Sequence, residues 1–131
     1  MNALRASWGM SAFVWTGFLV VSCFALGWQA AVVIVVFLLL PDLPLIGGFA
    51  EKGKLKPERV DFYNTMHTMT YPIILLVAGA VVFYFTGWLD GGFWGAALAG
   101  AAWFVHLAAD RAFGFGFRDS RGRVIPVGAL R

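Results

Sequence analysis

Apolar residues in this chain come in long runs with almost no polar interruption. They lack the strict alternation of a half-buried strand and the one-sided stripe of a soluble helix. The first run, Met10 to Leu26, carries no charge; its length of about 17 residues is at the lower end of what spans a bilayer. Only Gly27-Trp28-Gln29 separates it from a second run, 30–40. Together 10–40 is too long for one span of ~20 residues, so two spans with a tight turn at Gly27 are expected. The second ends at Leu40-Pro41-Asp42-Leu43-Pro44, because two prolines so close together cannot continue a regular helix. A hydrophilic loop, 51–61, follows, then a third run over 62–85, a Gly87-Trp88-Leu89-Asp90-Gly91-Gly92 turn and a fourth run over 92–113. The pattern predicts one all-α domain over 1–131, an integral membrane four-helix bundle. Its spans are at about 10–26, 29–46, 62–85 and 92–113, with a basic tail at 114–131.

Composition supports that reading. The chain is 60% hydrophobic and 13% charged, against ~25% charged for a soluble domain, which leaves too little polar surface to cover a water-soluble fold. The net charge of +3 is explained by position. Arg5, the 51–61 loop and the segment from Arg111 onward hold all ten lysines and arginines, and the turns near Gln29 and Asp90 hold none. By the positive-inside rule both termini and the 51–61 loop are cytoplasmic, with Trp28, Tyr84, Trp88 and Trp94 as the outer aromatic belt. The basic loop and tail suit anionic lipid headgroups, and nucleic-acid binding is not expected. The single cysteine, Cys23, allows no intrachain disulfide. Val20-Val21-Ser22-Cys23 has the look of a lipoprotein cleavage box, but the chain stays apolar after it, unlike a processed leader.

Four ionisable residues fall at similar depth. Counted from the outer turns at ~1.5 Å per residue, Asp42 lies ~21 Å in, His106 ~22 Å, Asp110 ~28 Å and His67 ~30 Å. All are then in the cytoplasmic third of a ~30 Å core or at its edge. His106 and Asp110 are one helical turn apart on one face. Tyr63, Asn64 and Tyr71 share the helix face of His67 and are candidates, with Arg111, to support it. Ionisable groups at membrane depth mark function by default. Two imidazoles and two carboxylates from three helices form a donor set for a divalent metal such as zinc, iron or manganese, able to activate water. The same groups can pass protons. Each also has a structural reading: Asp42 as a helix cap, Asp110 paired with Arg111 or Arg118, His67 at headgroup level.

Pro41-Asp42, Asn64-x-x-His67-Thr68 and His106-x-x-x-Asp110-Arg111-x-x-Gly114-Phe115-Gly116 resemble an uncharacterised family of small bacterial integral membrane proteins, domain of unknown function 4260. The resemblance covers roughly 10–118 and implies a multi-pass protein of the bacterial inner membrane, with no established activity. The family's pattern has Gly-Tyr-Gly in its last motif and Thr-His-Leu-Gly near the C-terminus. Here Phe115 replaces the tyrosine and Val127-Gly128-Ala129-Leu130 stands at the end, so no tail histidine is available as a ligand. Leu40-Pro41-Asp42 also resembles a segment of membrane-bound metal-dependent hydrolases, without their histidine-rich motifs.

Two functions stay open. One is a membrane enzyme or ligand site built on Asp42, His67, His106 and Asp110. The other is a non-catalytic accessory subunit of a larger membrane complex, packing on other subunits or as a homodimer. For the latter the ridges Gly91/Gly95/Ala99 and Gly92/Ala96/Gly100 would permit close helix approach, and the basic tail would dock on a partner. Convergence or divergence of the four polar side chains separates the two.

Overall fold

A computed structural model describes residues 2–129; Arg131, the last arginine of the tail, lies outside the described residues. The chain is mainly helical. Helix α1 is Ala3–Leu26, α2 is Trp28–Leu39, and a 3-10 segment, Leu40–Leu45, continues α2. A small hairpin, β1 (Phe49–Glu51) with β2 (Lys54–Leu55), precedes α3 (Pro57–Met66), α4 (Thr70–Phe85) and α5 (Gly95–Phe113).

Local chemistry sets each boundary. The Asn2 side chain accepts a hydrogen bond from the Arg5 amide and caps α1 ahead of the apolar run. Gly27, at φ +85°, turns the chain directly from α1 into α2. Pro41 and Pro44 lack the amides that an α-helical ladder needs, so the chain tightens into 3-10 geometry and carries Asp42 with it. Pro57 occupies the first turn of α3.

The third apolar run is not one helix. It breaks at His67-Thr68-Met69, where His67 ends α3 and Thr70 begins α4. Pro72 explains the break, because its ring would collide with the Thr68 carbonyl and it has no amide to offer. The Thr68 hydroxyl donates instead to the Asn64 carbonyl.

Helix α5 is the central element. It packs against α1, α2 and α4, and most of the buried core belongs to it: Leu98, Ala101, Ala102 and Val105, joined by Leu19 of α1 and Ala30 and Ile34 of α2. Close approach needs glycine. A Cβ on Gly100 would enter the backbone of Leu76, and one on Gly79 the backbone of Ala97, so α4 and α5 interlock backbone to backbone. The surrounding helices are apolar outward, with Phe13, Phe24 and Phe85 among the most exposed side chains. Ala3–Leu26, Trp28–Leu45 and Pro57–Phe85 are each long and apolar enough to cross a membrane. That distribution suits a bilayer, with the less apolar helix α5 shielded at the centre.

The tail turns inward. Arg118 is buried, and its guanidinium donates to the carbonyls of Gly53 and Gly122 while lying over the Tyr63 and Phe49 rings. The Arg118 amide donates to Asn64 Oδ1, and Asn64 Nδ2 donates back to the Arg118 carbonyl. Asp119 accepts from the amides of Arg123 and Arg121, which hold its carboxyl below the usual range. Of the tail arginines offered above for headgroups or a partner, Arg118 is therefore spent on the fold, while Arg121 and Arg123 are exposed.

Two variants test this packing. Gly100→Leu should lose about 2 kcal/mol or more by forcing α4 from α5, whereas Gly17→Ala, which meets nothing within 4 Å, should leave thermal unfolding in detergent unchanged or slightly raised. Arg118→Met should release the tail, with trypsin cleaving after Arg121 and Arg123 at least about tenfold faster.

Candidate functional site

Asp42, His67, His106 and Asp110 converge. Each offers one ligand atom, and these atoms all lie within 4.8 Å of one another. The contacts form a closed ring of alternating imidazoles and carboxylates. Asp110 Oδ2 is 3.2 Å from His67 Nε2 and 3.4 Å from His106 Nε2; Asp42 Oδ1 is 3.5 Å from His106 Nε2 and 3.9 Å from His67 Nε2. The two imidazole rings meet edge to face at 5.6 Å.

Three backbone devices bring the four side chains in. Asp42 comes from the 3-10 segment, beside the prolines that create it. His67 is the residue at which α3 stops, so the break in the third run is what turns this side chain into the cluster. His106 and Asp110 come from consecutive turns of α5. The break is tied down from both sides: Trp103 Nε1 donates to the Met66 carbonyl and Arg111 Nη2 to the His67 carbonyl. Arg111 also donates to the Leu107 carbonyl, and its guanidinium lies over Trp8.

The hydrogen-bond chemistry of His67 fixes its protonation pattern. Nδ1 is 2.9 Å from the Tyr63 carbonyl, which can only accept, so Nδ1 carries a proton. The Tyr63 ring stacks on the imidazole with centroids 3.8 Å apart. Both Nε2 atoms then face the carboxylates. Although oxygens lie 3.2–3.5 Å away, neither Nε2 makes an aligned hydrogen bond, and both are buried. Positive charge between the nitrogens and the carboxylates, whether a proton on Nε2 or a bound cation, would stabilise this arrangement.

Access is one-sided. His67 is 3% exposed, but the Asp42 side chain retains 45% of its exposure and Asp110 24%. The cluster thus opens on the Asp42 side.

The expected supporting residues divide. Tyr63 stacks on His67 and Arg111 bonds its carbonyl, both in contact with the site. Asn64 pins the tail instead, and Tyr71 stacks on Trp103 at 6.4 Å, because the break turns α4 away from the face of α3. Asp110 pairs with the histidines rather than with Arg111 or Arg118. Trp103, one turn from His106 on the same face, acts on the α3 break through its bond to the Met66 carbonyl.

No curated protein and no solved structure matches the chain. The family described as Domain of unknown function (DUF4260) matches residues 8–123, a stretch that holds all four cluster residues and both proline-directed breaks, and the chain belongs to that family.

Proposed function

We propose that Asp42, His67, His106 and Asp110 bind one divalent metal ion, and that the chain is a small multi-pass membrane protein built to hold it near the cytoplasmic face. The observation that carries the reading is the pair of buried, unbonded Nε2 atoms set between two carboxylates. Two ligands on a tetrahedral ion with bonds of 2.0–2.2 Å are separated by roughly 3.3–3.6 Å. The four nitrogen–oxygen separations, 3.2 to 3.9 Å, bracket that spacing. A histidine that donates its other ring N–H to a backbone carbonyl is the usual support of a metal-bound imidazole, and His67 has it in Tyr63.

Zinc, iron and manganese all suit nitrogen and carboxylate oxygen donors. The open Asp42 side admits water or a substrate group, so the chemistry that this site suits best is metal-assisted hydrolysis. Convergence of the side chains is also what favours a site over a non-catalytic accessory subunit. The topology follows from charge: four spans, both termini cytoplasmic in a bacterial inner membrane, with the metal end on the side of the 51–61 loop.

Elemental analysis of the purified protein should find near-stoichiometric zinc, iron or manganese, lost in His106→Ala and Asp110→Asn; absence of metal from the wild type would remove the reading. For topology, in a Cys23→Ala background, a membrane-impermeant maleimide on intact cells should label Asp90→Cys and spare Lys52→Cys. Equal labelling would reject the orientation.

A further inference from the structure

Four protein ligands close a tetrahedral ion, as in a structural site, whereas an ion that acts on a substrate keeps one position for the incoming group. The four cluster residues are not equivalent in this respect. Asp110 Oδ2 lies 3.2 and 3.4 Å from the two Nε2 atoms, but Asp42 Oδ1 lies 3.5 and 3.9 Å away. The Asp42 side chain keeps 45% of its exposure, against 24% for Asp110, 11% for His106 and 4% for His67. The carboxylate farther from the nitrogens is thus also the one that solvent reaches most.

Anchoring divides the same way. The His67 ring is held at Nδ1 by the Tyr63 carbonyl and on one face by the Tyr63 ring, and its own carbonyl accepts from Arg111. His106 and Asp110 stand on α5, the helix around which the core packs. Asp42 stands on a 3-10 turn at the surface, with Leu43 and Ile46 exposed beside it. Permanent carboxylate ligands are themselves held by hydrogen bonds. Among the described residues, the Asp42 carboxylate meets the two imidazoles and accepts no aligned hydrogen bond.

We infer that Asp42 is the exchangeable ligand of the site: an anionic oxygen ligand enters from the exposed side and takes the place that the Asp42 oxygen leaves, while His67, His106 and Asp110 keep the ion. This rests on the metal reading above and gives that site its class of ligand. Two imidazoles and one carboxylate are a sufficient protein set for a working divalent ion. With Asp110 as its one remaining anionic protein ligand, the ion carries net positive charge toward the open position, which draws an oxygen anion such as a carboxylate or hydroxamate. The released Asp42 side chain already faces solvent and needs no new partner.

Cobalt(II) serves as the visible ion and acetohydroxamate as the anionic oxygen ligand, both titrated into the full chain in nanodiscs. Asp42→Asn and Asp42→Ser should bind cobalt within ~10-fold of the wild type, and Asp110→Asn at least ~100-fold more weakly. Before the probe is added, the cobalt spectra of the wild type and Asp42→Ser should differ, because one ligand is gone. At saturation with acetohydroxamate, the wild type and both Asp42 variants should give the same spectrum, because the probe has displaced Asp42. The variants should reach that end point at ~10-fold lower probe concentration, having no carboxylate to displace.

Saturated spectra that stay different place Asp42 still on the ion and overturn the inference, with the metal site left standing. Loss of cobalt from both Asp42 variants to the level of Asp110→Asn, with or without loss of helix content, also overturns it, since Asp42 is then indispensable. Failure of the wild type to bind cobalt overturns both readings.

Discussion

Two imidazole nitrogens and two carboxylate oxygens face one another where α3, α5 and the extension of α2 meet, and positive charge shared among them, from protons or a cation, would offset the carboxylates. The rest of the architecture keeps that arrangement in place. Trp103 and Arg111 clamp the carbonyls on either side of the α3 break, and Tyr63 fixes the tautomer of His67. A cation bound there would make the same four side chains cross-links between α3, α5 and the extension of α2.

Helical breaks supply two of the four cluster residues. In hydrocarbon, non-helical backbone is tolerated only where it is buried in protein or lines a polar cavity. The 3-10 turn at Pro41–Pro44 and the break before Pro72 both lie against the cluster, with their prolines buried, and each brings one polar side chain to it. The prolines are therefore part of the site, although none of them touches it with a polar atom. The tail and hairpin extend this principle beyond the helices, because buried Arg118 satisfies the carbonyls of Gly53 and Gly122.

Much of the site was legible from depth alone. Counting residues from the outer turns brought Asp42, His67, His106 and Asp110 to one level, and a shared level in a thin layer leaves few places for polar groups except together. Of the four spans expected from the runs, three are long and apolar enough to cross a membrane, and the fourth corresponds to the less apolar α5. The break at 67–69 was not legible, although Pro72 announces it, because apolar content hides a helix interruption. That error propagated: a continuous helix puts Tyr63, Asn64 and Tyr71 on one face, whereas the break sends Tyr71 to Trp103. Asn64 and Arg118 are 54 residues apart and meet through backbone geometry, which no local pattern encodes. The arginine tail reads as a solvated charge run for the same reason.

The interlock of Gly79 and Gly100 has a mechanical meaning. With backbones in contact, α4 and α5 cannot slide without a clash, so they form one stiff body, and α5 presents His106 and Asp110 from it. Asp42 and His67 ride on a second pair, the extension of α2 and the end of α3, which pack on each other. Hydrophobic mismatch, which tilts helices when a bilayer thickens or thins, would thus act between the two halves of the cluster and shift one imidazole and carboxylate against the other.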